Sequence, residues 1–309
     1  FYFEDVYVKS FGTINNANVT IKGDFEKSVA ARNVQLTNCE INAEGINGWY
    51  LSDINMSSGN VYIGESTPTN YMFAYSDLPL PNVIYPPYRT NWSGMYEQAW
   101  AVNMAFLNEI LPNATNVDRM FYAYHSDINM SAVINALNKN ITSLYGFQAG
   151  INASYNTLAD LRAVFPNVKN IGVSNVVKSG SNITEEDVAG FTDISGLNAM
   201  LPTGTTTFNV PALTTLENTF WNGTNNVNIV ISNNCTLAPN IYNSGRNVFL
   251  TGDLSGIKNG YYLYEGARQW HGYPENLETA QSMYANGRFN EISEPIPAGL
   301  TNTEHMFEN

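Results

Sequence analysis

The sequence predicts an α/β repeat solenoid, made of coils of about 22 residues behind a β-rich, β-solenoid-like N-terminal part. Three observations carry this. A motif of near-constant spacing recurs through the C-terminal third. Short β-rich runs lie between its copies. Gly and Asn punctuate the chain at the corners such runs need. Three regions follow: a β-rich one over 1–90, irregular helix-containing repeats with an insertion over 91–212, and regular units over 213–309, cut short at the C-terminus.

In chain order, Asn18-VTI, Asn33-VQL, Trp49-YLS and Asn60-VYI read as four short strands, with Gly and Asn between them. Asn82-VIY falls 22 residues after Asn60 and reads as a fifth. Asn at a strand entry can stack on its counterpart in the neighbouring coil, so these Asn read as structural. Pro79, Pro81, Pro86 and Pro87 interrupt the pattern. A helix is expected next, with Ser93 as cap and Met95, Trp100, Met104, Phe106, Leu107 and Ile110 on its apolar face, ended by Pro112. Further helices are expected over 130–137 and 155–164. A strand should follow at Val168-KNIGVS, and Thr184-EED, with Asp187 at the capping-box distance, should open another helix. The Ser/Thr/Gly-rich stretch 174–212 reads as an insertion loop.

The motif itself is Leu213-TTLENTFWNG, Cys235-TLAPNIYNSG, Ile257-KNGYYLYEGA, Leu277-ETAQSMYANG and Leu300-TNTEHMFEN. An apolar residue or Cys is followed six positions later by Met, Leu, Ile or Thr, then Phe or Tyr. Ala114-TNVDRMFYAY is a good upstream copy; Ser66-TPTNYMFAYS and Asn140-ITSLYGFQAG are looser. Between copies lie Val227-NIVIS and Asn247-VFLTG, and more weakly Gln269-WHGY and Asn290-EIS. Each unit therefore reads as a short helix or turn, a corner and one strand, in the leucine-rich-repeat class. Phe121, Phe220, Tyr242, Tyr264, Tyr284 and Phe307 would form its core column.

The Met-Phe pair followed by Asn or Gly resembles the BspA-like leucine-rich repeats of bacterial surface proteins and phage structural proteins. The resemblance covers 213–309 and 114–124, about a third of the chain. It implies a non-enzymatic recognition or adhesion module, part of a phage virion (tail or fibre) protein that contacts a host cell surface. The same repeats on a bacterial adhesin are the first alternative, a structural spacer in a larger assembly the second. The expected setting is a virion or an extracellular cell surface. The expected partners are a cell-surface glycan or protein and other subunits of a larger particle. The chain begins at Phe1 without Met and stops at Asn309 inside a motif copy, which predicts a piece of a longer polypeptide.

Composition narrows the chemistry. A net charge of −13 opposes nucleic-acid binding, which needs a basic face. No apolar run reaches 18 residues, so no membrane span is expected. The chain holds 44 Asn against seven Lys, a bias that fits either sugar binding or a fold that uses Asn in turns and ladders. Ten N-x-[S/T] sequons, among them Asn18, Asn140 and Asn222, are close to the roughly six or seven that chance gives. Cys39 and Cys235 are expected as buried thiols.

His125, His271 and His305 lack metal-ligand spacing, and no nucleotide or nucleophile motif is present, so no metal, cofactor or catalytic residue is expected. A glycan-cleaving enzyme remains the last alternative. Its acid pair would come from Glu185, Glu186 and Asp187, or from Glu291 and Glu294. Trp92, Trp221, Trp270 and Tyr273 fall outside the core column and are the candidate surface-binding aromatics.

Overall fold

The computed structural model describes residues 2–4, 13–15, 18–22, 34–37, 39–44, 54–56, 58–64, 67, 69–70, 72–74, 82–124, 128–148, 152–172, 174–178, 183–193, 206–216, 227–236, 248–267, 270–288 and 290–308. The chain forms two compact units. The first comprises 1–154, 165–167 and 174–176; the second comprises 155–164, 168–173 and 177–309.

In the first unit, strands β1 (Tyr2–Glu4), β3 (Asn18–Lys22), β5 (Cys39–Glu44), β7 (Gly59–Ile63) and β8 (Asn82–Ile84) form one parallel sheet in that order. Strands β2 (Thr13–Asn15), β4 (Val34–Thr37) and β6 (Ile54–Met56) form a second, three-stranded and parallel. Alternation sets the faces: Val61, Ile63 and Val83 point into the core, while Asn60, Asn82 and Ile84 point out. Helices α1 (Met104–Ile110) and α2 (Met130–Ala136) follow, capped by the side chains of Asn103 and Asn129. Phe73, Tyr96, Phe121 and Phe147 make a buried aromatic row, with ring centroids 5.4, 6.0 and 5.4 Å apart. Each such ring contributes about 1.5–3 kcal/mol by leaving water. Beside the row, buried Glu97 accepts hydrogen bonds from the Arg119 guanidinium, which also lies 4.0 Å over the Tyr122 ring.

The second unit holds α3 (Leu158–Val164), α4 (Glu185–Val188) and the parallel sheet β9 (Thr206–Asn209), β10 (Val227–Ile231) and β11 (Val248–Gly252), with β10 central. At Gly252, φ is +90° and an added Cβ would meet the Ile231 carbonyl at 2.3 Å, so only glycine fits. Its core includes Phe208, Ile229, Leu263, Tyr264, Met283 and Tyr284.

These findings correct the solenoid expectation. A leucine-rich-repeat-like coil would place a helix or turn and a strand in every copy of the motif. The described residues instead form a mixed structure with four short helices, none beyond residue 188, and small open parallel sheets. The physical reason lies in the motif. Its residue before the Met or Leu has left-handed backbone: φ is +57° at Arg119, +50° at Tyr262, +53° at Ser282 and +53° at His305. A left-handed residue halts a helix, so the apolar pair sits in a turn. In three copies the turn is closed by an Asx hydrogen bond, Asp118 N–H to Asn116 Oδ1 at 3.0 Å, Tyr261 N–H to Asn259 Oδ1 at 3.0 Å and Glu304 N–H to Asn302 Oδ1 at 2.9 Å. Adjacent copies meet through single parallel bridges, Asn259 to Thr279 and Thr279 to Asn302, rather than through strands.

Other readings divide. The strands at 18–22, 34–37, 59–63, 82–84, 227–231 and 248–252 form where the sequence places them. Those at Gln269-WHGY, Asn290-EIS and Val168-KNIGVS do not form among the described residues, and Trp49-YLS lies outside them. The first helix begins at Met104 under Asn103, not under Ser93; residues 93–98 are turns, and Gln98 has φ +57°. The capping box of Thr184 and Asp187 is present, and α3 is shorter than expected. Of the core column, Phe121, Tyr264 and Tyr284 are buried, Phe307 is half-buried, and Phe220 and Tyr242 lie outside the described residues. Cys235 is a buried thiol.

Candidate functional site

The sheet of the first unit ends at β8, and α1 packs close by. Between them lies a cavity of about 350 Å³, lined by Asn60, Asn82, Val83, Ile84, Asn103, Ala105, Phe106 and Glu109. Strand alternation delivers one wall. Asn60 and Asn82 are in register on neighbouring strands, so their amides stack: Asn82 Nδ2 donates to Asn60 Oδ1 at 3.1 Å. Asn60 Nδ2 in turn donates to the Glu40 carboxylate at 2.9 Å. The row thus steps from β5 through β7 to β8. The Tyr62 hydroxyl also interacts with Glu40, which raises its pKa.

Helix α1 delivers the other wall. Its 3.6-residue period buries Phe106, Leu107 and Ile110 and turns Ala105 and Glu109 outward. Asn103 is held at the cap by the Phe106 N–H, 3.1 Å from its Oδ1. The Tyr85 hydroxyl, just past β8, donates to Glu109 Oε1 at 2.8 Å and ties strand to helix. Burial, then the Glu109 carboxylate, pushes the Tyr85 pKa up to about 12, so this donor keeps its proton. Beneath the groove, the rings of Tyr85, Trp92 and Phe106 meet edge to face, with centroids 5.0 to 5.7 Å apart.

Neither family models nor curated proteins nor solved structures give a match to this chain.

The four aromatics singled out from sequence are placed differently. Trp92 is fully buried, with the Arg89 guanidinium 5.0 Å above its ring, so it supports the groove and offers no surface; this corrects its reading as a binding aromatic. Trp270 and Tyr273 come together in the second unit, 5.0 Å apart and both half-buried. Trp270 stacks on Tyr284 at 4.7 Å, and Tyr284 donates to the Gly272 carbonyl at 2.7 Å. Trp221 lies outside the described residues. The structure exposes other rings instead, Tyr88 and Trp100 among them.

The histidines and acids take structural places. His271 stacks on Tyr264 at 4.8 Å, and burial lowers its pKa to about 4. His305 is exposed between Glu304 and Glu308, at 3.3 and 2.5 Å. His125 is outside the described residues. Glu185, Glu186 and Asp187 fill the first turn of α4, where acids suit the helix dipole, and Glu291 and Glu294 are exposed. Among the described residues no group of His, Cys, Asp and Glu is set to hold a metal, and no helix is long and apolar enough to cross a membrane.

The sequence reading missed the groove. The period between Asn60 and Asn82 does place the two amides side by side. The α1 wall was hidden because 93–110 reads as one helix, which assigns Trp100 to the core and gives Asn103 no capping role.

Proposed function

We propose that this chain is a non-enzymatic recognition module that holds a partner through side chains presented by small parallel sheets and their turns. One observation carries the reading: the groove between β8 and α1 gathers amide and carboxylate groups beside the exposed apolar side chain of Ile84. Small-ligand sites are concave, mostly apolar and furnished with a few polar groups that fix orientation. Exposed polar rows elsewhere suit the same use, as where Thr251 donates to Asn228 and Thr279 to Asn259, each at 3.0 Å.

We place the module on a phage virion, facing a host cell surface, or on a bacterial surface. That placement follows from the resemblance of the Met-Phe motif to BspA-like repeats. The acidic candidates for glycan cleavage serve a helix start or stand in solvent, which favours binding over catalysis.

The test is binding of the labelled chain to whole cells of candidate hosts, before and after their surface glycans are stripped. Saturable binding lost on stripping supports recognition of a glycan. A folded chain that binds no host refutes the reading and leaves a spacer role ahead.

A further inference from the structure

We propose that the groove between β8 and α1 is a binding site for a neutral saccharide. The proposal rests on the recognition reading and names its ligand class.

The polar groups set the hydrogen-bond code. Asn82 uses its Nδ2 on Asn60, and no described residue donates to its Oδ1. Glu109 uses Oε1 on the Tyr85 hydroxyl, and no described residue donates to its Oε2. Two exposed residues that line one cavity therefore each keep an acceptor oxygen to which no described residue donates. Each is held by a partner behind it, Asn60 or Tyr85, so little side-chain freedom is lost on binding. A ligand that donates from neighbouring hydroxyls satisfies both.

The apolar groups set its shape. Phe106 and Val83, 5% and 9% exposed, close the groove from beneath, and Ile84, 43% exposed, forms its apolar lip. A sugar ring carries C–H groups on its faces and hydroxyls at its rim, so it can pack a face against Ile84 and donate to the walls. The volume, about 350 Å³, lies at the lower end of the range of about 300–1,000 Å³ for small-ligand sites.

Charge excludes the competitors. The Glu109 carboxylate lies in the groove and the chain carries −13, so phosphates, sialic acids and uronates are repelled.

The experiment uses the whole 309-residue chain. Methyl glycosides of glucose, galactose, mannose and N-acetylglucosamine are titrated by saturation-transfer NMR, with N-acetylneuraminic acid as the anionic control. At least one neutral glycoside should bind and the anionic sugar should not. Asn82→Ala should weaken that binding tenfold or more. Ala105→Trp, which fills the groove and leaves every polar group in place, should abolish it. Circular dichroism and melting of both variants should match the parent. The inference is overturned if no neutral glycoside binds the folded chain, if both variants bind as the parent does, or if N-acetylneuraminic acid binds equally. A chain that binds cells but no glycoside loses only the groove assignment; one that binds neither loses the recognition reading as well.

Discussion

Glu97, in the turn over 93–98, and Arg119, in the turn of the Ala114 copy, pair within the first unit and predict an asymmetry in stability. The Glu97 side chain is 1% exposed, and that of Arg119 is 33% exposed. Arg119→Ala leaves a carboxylate buried with its strongest partner gone. Breaking a buried pair in this way costs about 3–5 kcal/mol. Glu97→Ala leaves a guanidinium that already touches water and still lies 4.0 Å over Tyr122. It loses hydrogen bonds to a charged group, worth about 1.5–3 kcal/mol, and solvent screening brings the expected loss to about 1–2 kcal/mol. The double variant should be less destabilised than the sum of the singles, because it leaves no orphaned charge. Urea denaturation of the four proteins, followed by circular dichroism, measures each difference. Equal losses for the two single variants, or strict additivity in the double, would refute the reasoning.

Three further outcomes are expected. His271 is held neutral by burial, with a pKa of about 4 against an ordinary 6.5; below 6.5 the unfolded chain takes up a proton that the folded one refuses, so stability is full above 6.5 and falls as the pH drops towards 4. Replacing His271 with Phe should remove that slope from pH-dependent melting, and NMR titration should place the imidazole near 4. Ala123 has φ +51°, so Ala123→Gly should stabilise by about 0.5–1 kcal/mol and Ala123→Val should destabilise by about 1–2 kcal/mol in denaturant titrations. Trp92→Ala should cost about 3–5 kcal/mol because the ring is fully buried, and a melting midpoint unchanged from the parent would contradict the placement.

What the sequence reveals here depends on the range of the interaction. Strands at 59–63 and 227–231 are legible because alternation along a strand is local. The box of Thr184 and Asp187 is legible for the same reason. The motif from 213 onward is legible as a repeat but not as a shape. Its apolar positions read as a short helix or a turn, while the left-handed residue inside it, such as Tyr262 or His305, is not glycine and gives no local warning. The Asn bias proves structural in part: Asn116 and Asn259 close turns and Asn60 and Asn82 stack. Trp92 stands outside the motif's core column and so reads as exposed, yet tertiary packing against Tyr85 and Phe106 buries it. The groove depends on β8 meeting α1, a contact that no single segment encodes.

Recognition without catalysis is tested most directly by immobilising cell-surface polysaccharide from a bacterium that the chain binds, and following chain and glycan together. The expected result is saturable retention of the chain, with the molecular mass of the polysaccharide unchanged after prolonged incubation. A polysaccharide that shortens and gains reducing ends, or a folded chain that is not retained, would contradict it.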